Sequence, residues 1–130
     1  MFDINIHIVI FTTDIQNNKK YVLSTNKDHI NLPQMKVDQD KKKNIDQSIC
    51  EFVRQKYLFL SDYEILPQFV SFHSENLSQK ENSIDMVYGS IVPFDCQKND
   101  EDCYWIEFNI ADPENSEESY LMMNVIRSLT

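Results

Sequence analysis

The chain has 130 residues, enough for one compact core and too few for two ordinary domains, so residues 1–130 are read as a single domain. Hydrophobic residues make up 42% and aromatic residues 12%, which argues against a disordered acidic chain. Twelve Lys and Arg against 21 Asp and Glu give a formal charge of −9, which argues against sequence-independent nucleic-acid binding and against adhesion to anionic membranes. Residues 95–130 hold 2 of the cations and 9 of the acids, so −7 of the −9 falls there and the C-terminal third is expected to be an acidic surface.

Ile4, Ile6, Ile8 and Ile10 alternate with Asn5, His7, Val9 and Phe11, the period of a strand, and the isoleucine face is expected to point to the core. Asp14 to Lys20 is polar and contains Asn17-Asn18, a turn, after which Tyr21 to Thr25 returns as a second strand of a hairpin. Leu32-Pro33-Gln34-Met35-Lys36-Val37 is a short extended segment, followed by the polar run Asp38 to Lys43. A helix then begins at Asn44, a capping residue with Gln47 three positions on. Its stripe is Ile45, Ile49, Phe52, Val53 and Tyr57, with Asp46, Glu51, Arg54 and Gln55 on or beside the other face.

Beyond Pro67, three apolar segments rich in β-branched and aromatic residues, Gln68 to His73, Ile84 to Phe94 and Tyr104 to Phe108, read as strands. Asp112-Pro113 opens a last helix, with Leu121, Met122, Val125, Ile126 and Leu129 as its buried stripe. No apolar stretch has the length of a membrane span, and the chain enters its first strand without a basic start or a cleavage signal, so an intracellular protein is expected. Cys50, Cys96 and Cys103 form neither an even framework nor a CxxC pair, and are read as free thiols. His7, His29 and His73 have no spacing that joins them into a ligand set. Gly89 is the single glycine, which excludes the glycine-rich loops that cradle phosphates and the GxSxG nucleophile turn.

The order of hairpin, Leu32-Pro33 turn, polar loop, amphipathic helix, further strands and terminal helix resembles the Nudix hydrolase fold over nearly the whole chain. That resemblance implies an α+β domain, a mixed β-sheet flanked by two helices as an α/β/α sandwich. In the family a Leu-Pro-Gly-Gly turn leads into a box G-x5-E-x7-R-E-U-x-E-E-x-G-U, with U aliphatic. Its clustered glutamates hold magnesium, which polarises phosphoryl oxygens and activates water. Here Gln34 and Met35 stand in place of the two glycines, and with a one-residue loop adjustment Cys50 to Leu58 lies over R-E-U-x-E-E-x-G-U. Glu51, Phe52 and Leu58 match. The two adjacent glutamates become Arg54 and Gln55, the arginine becomes Cys50, the closing glycine becomes Tyr57, and the loop glutamate falls in the run Lys41 to Lys43.

One carboxylate with a cation three residues along does not match the charge of a magnesium cluster, so a surface pair of Glu51 and Arg54 is expected, with no catalytic residues, no metal site and no cofactor. The expected function is a non-catalytic domain, a protein-interaction or structural subunit of a larger assembly. Asp100, Glu101 and Asp102 are then the candidate contacts to a basic protein partner. The alternatives are a nucleotide sensor that keeps the family cleft, with Gln34, Lys36, Glu51, Arg54 and Gln55 at its rim, or a divergent pyrophosphohydrolase with metal ligands such as Glu75, Glu81 or Asp85.

Overall fold

The computed structural model describes residues 3–37, 44–72, 83–94, 104–108 and 117–129. Strand β1 (Asp3–Asp14) and β2 (Lys19–Ser24) form the expected hairpin, with Phe11 opposite Val22 and Asp14 opposite Lys19. Asn18 turns the corner in the left-handed region at φ 53°, a conformation that Asn tolerates better than most residues. Asp14 braces the same turn by accepting from the Asn17 side-chain amide at 2.7 Å.

Strand β3 (Gln34–Lys36) follows the Leu32-Pro33 turn and pairs antiparallel with the first half of β1, while the Pro33 carbonyl accepts from the Ile8 N–H at 2.9 Å. Helix α1 (Ile45–Lys56) starts where the capping signal places it: Asn44 Oδ1 accepts from the Gln47 N–H at 2.8 Å. A 3-10 turn over Leu58–Leu60, which the sequence pattern did not announce, closes the helix and buries Leu60. Strands β4 (Gln68–Phe72), β5 (Ser83–Ile91) and β6 (Tyr104–Phe108) complete one six-stranded sheet of order β4-β5-β1-β2-β6, with β3 on β1. Nine residue pairs join β1 to β5 in parallel; every other pairing is antiparallel. Helix α2 (Glu117–Leu129) packs on β5. The expected helix opening at Asp112-Pro113 lies outside the described residues, as do Cys96 and Cys103.

The two helices cover opposite faces. Ile6, Ile8, Ile10 and Leu23 pack with Ile49, Val53 and Tyr57 of α1, while Val9, Phe11, Val22 and Val87 pack with Met122, Val125 and Ile126 of α2. Expecting a single core face for β1 is thereby corrected: Asn5, His7, Val9 and Phe11 are buried along with Ile6, Ile8 and Ile10, because a central strand between two helices has no solvent side, and Ile4 at the strand's start is half-buried. A second correction concerns α1, whose Ile49 is fully buried as expected whereas Phe52 is half-buried at the rim, with the Lys56 ammonium 5.5 Å from its ring. None of the described helices is long and apolar enough to cross a membrane.

Candidate functional site

The flank of α1 beside its buried stripe forms one wall of an open groove of about 560 Å³. Asn44, Asp46, Gln47, Cys50, Glu51 and Arg54 line that wall, brought together by spacings of three and four residues. Ile65, Leu66 and Pro67, the segment that leads into β4, form the other. The Cys50 thiol ties the walls by donating to the Ile65 carbonyl at 3.2 Å. Burial raises the Cys50 pKa above its ordinary value; Arg54 opposes this shift, and Asp46 and Glu51 add to it. The thiol is therefore a packing and bridging group rather than an activated nucleophile.

Of the five residues placed at a ligand rim from the sequence, the groove gathers Glu51 and Arg54. Gln55 is exposed on α1 beside the groove wall. Gln34 and Lys36 are exposed on β3, where the residue between them, Met35, packs with the α1 cluster. Strand alternation therefore sends Gln34 and Lys36 to the other side of the sheet from Glu51, Arg54 and Gln55. Asn44 and Gln47, read from the sequence as the helix cap, Asp46 and the Ile65–Pro67 wall also line the groove and are not among the five rim residues. The helical members were recoverable from spacing around Glu51, whereas the apolar wall comes from a segment more than ten residues away and carried no local signal. Asp100, Glu101, Asp102, Glu75, Glu81 and Lys41 to Lys43 lie outside the described residues.

Asp85 is held far from any groove role. It lies on β5 across from Asn5, is 4% exposed, and its Oδ1 is 3.2 Å from His7 Nε2. Its Oδ2 is buried with no hydrogen-bond partner. By strand alternation Asp85 shares the α2 face with Val87, away from the α1 groove. His29 is exposed in the loop after β2 and joins no such pair.

The groove does not fit a magnesium cluster of the Nudix type. Its two carboxylates, Asp46 and Glu51, are five residues apart and so roughly 140° apart around the helix. Arg54 stands one turn beyond Glu51, and among the described residues no three His, Cys, Asp or Glu side chains gather.

A scan against protein-family profiles finds no match, and a search of curated protein sequences finds none. Solved structures do match. NrtR of Shewanella oneidensis is 16% identical at a TM-score of 0.65, over 97% of this chain and 63% of NrtR, so the chain spans less than two thirds of that protein. The NUDIX domain of the same protein, crystallised with ADP ribose, is 14% identical at 0.59, over 100% of this chain and 90% of the domain. A mutT/nudix family protein from Listeria innocua is 11% identical at 0.67, over 97% and 92%. At these identities the likeness concerns backbone architecture, and on that ground the chain has the Nudix-like fold, a mixed sheet between two helices.

Proposed function

We propose that the protein is a non-catalytic Nudix-like domain that works by binding, as an interaction or structural subunit of a larger assembly. The observation that carries this reading is the composition of α1 at and beside the groove: one box glutamate survives as Glu51, and the Arg54 guanidinium and the Gln55 amide stand where the resemblance implies the next two carboxylates. An arginine there opposes the approach of a divalent cation that the family needs for hydrolysis. The direct test is turnover of nucleoside triphosphates, ADP-ribose, dinucleoside polyphosphates and capped RNA with magnesium or manganese. No turnover above the blank is expected, and turnover abolished by Glu51→Gln would overturn the reading.

For the interaction surface, Asp100, Glu101 and Asp102 are proposed as contacts to a basic protein partner. Neutralising the three together should leave folding intact and slow association, mostly at low salt, as charges that steer encounter do. Unchanged association rates across a salt series would discard that surface. A second reading, a nucleotide sensor, is favoured by Arg54 standing in an open groove and by the ADP ribose bound to the structurally similar NrtR domain. In that case Arg54→Ala removes ADP-ribose binding while the acidic triple change has no effect.

A further inference from the structure

Strand β4 ends the sheet: among the described residues it pairs with β5 alone, leaving the backbone groups of its other edge without a strand. Natural edges are defended by charges, by proline, by a bulge or by shortness. Gln68–Phe72 is short and has one irregularity of register, but it has no charge and no proline within it, and Pro67 sits just before it. A register shift between Phe69 and Ser71 puts Phe69 and Phe72 on one face, their ring centroids 5.1 Å apart. Phe72 is 63% exposed, Phe69 47%, and Leu66, just upstream, 60%. Three large apolar side chains in seven residues, beside an uncharged sheet edge, form a surface that water covers at a cost.

Charge selects the occupant. Asp62 and Glu64, both exposed, precede the patch, and Leu66 also lines the groove of Asp46, Glu51 and Arg54, so acids outnumber the one cation around it. A second copy of this chain would bring the same acids and a further −9 to the contact. We propose that β4 accepts an extended segment of a partner protein, added as a further strand, with apolar side chains over Leu66, Phe69 and Phe72 and Lys or Arg side chains against Asp62 and Glu64. Backbone pairing supplies the affinity in such an addition, and the alternate side chains supply the choice of partner. This inference rests on the binding-module reading and names the partner chemistry.

The probes are three fluorescein-labelled peptides: one of alternating Lys and Val, its Glu and Val counterpart, and the Lys–Val peptide N-methylated at every residue so that it has no N–H to pair along either edge. Binding is read by anisotropy and by amide shifts in a ¹⁵N spectrum. The Lys–Val peptide should bind and shift the amides of residues 68–72, with the other two peptides at least about tenfold weaker. Phe72→Ser, at a side chain that is mostly exposed, should weaken it by about tenfold, and Glu64→Lys should weaken it several-fold more than Asp28→Lys, an exposed acid in the loop after β2.

Equal effects of Glu64→Lys and Asp28→Lys would reduce the attraction to net charge and overturn the proposal. So would equal binding of the N-methylated peptide, amide shifts elsewhere, or a dimer of the chain that Phe72→Ser dissociates. The two readings fail separately: hydrolytic turnover sinks the non-catalytic function without moving the peptide result, and absence of peptide binding sinks the β4 surface without creating turnover.

Discussion

Gly89 offers the sharpest test of how α2 seats on the sheet. It lies in β5 opposite Val9, and a Cβ added there would meet Val125 Cγ1 and stand 2.8 Å from Leu129 Cδ1. Carbon atoms settle at about 3.5–4.0 Å, so Gly89→Ala has to displace α2 or turn Val125 out of its rotamer. A β-branched side chain in a helix has essentially one favoured χ1, which leaves little room to turn. Overpacking of this kind costs about 1–3 kcal/mol, and the stiffer unfolded chain of the alanine variant offsets about 0.4–1 kcal/mol. The net expectation is a loss of about 1–2 kcal/mol. At about 2.1 cal/mol/K per residue, unfolding 130 residues releases about 0.27 kcal/mol/K, so Tm should fall by about 4–7 °C. Urea unfolding of Gly89→Ala, Val125→Ala and the double variant measures the contact directly. Val125→Ala alone opens a void that the new methyl partly fills, so the double variant should exceed the sum of the singles by at least about 0.5 kcal/mol. Additive losses, or a Gly89→Ala protein as stable as the parent, would refute the seating of α2 on Gly89.

Ile49→Ala should cost about 3 kcal/mol because the side chain is wholly enclosed, whereas Phe52→Ala at the rim should cost about 1–2 kcal/mol; denaturant unfolding that reverses this order would mean α1 is rotated. His7→Ala should cost about 3 kcal/mol, since it leaves the buried Asp85 carboxylate without the contact to Nε2, and adding Asp85→Asn should recover part of the loss. A loss below about 1 kcal/mol in thermal unfolding would show that water reaches the carboxylate.

The local elements were legible because their signals are local. The period of β1, the Asn44 cap, the stripe Ile49–Val53–Tyr57 and the stripe Met122–Val125–Ile126 each need only a dozen neighbouring residues, and each stands where its pattern put it. That Arg54 and Gln55 carry no carboxylate was equally readable, since it depends on residue identity alone. What the sequence could not supply is set by pairing across long separations. The two helices bury both faces of β1, and its parallel pairing with β5 draws His7 to Asp85, 78 residues away, so two polar side chains that look solvent-facing in their own strands become a buried pair. Phe52 lies on the helical stripe and is only half-buried, a degree of burial that the helical period does not encode. The apolar wall Ile65–Pro67 faces α1 only because the 3-10 turn at Leu58–Leu60 folds the chain back. Likewise Gln34 and Lys36 part from Glu51 and Arg54 because a strand alternates its side chains across a sheet that the sequence does not draw. Period and capping are properties of adjacent residues, whereas a shared site requires segments distant along the chain to meet, and only the tertiary pairing decides that.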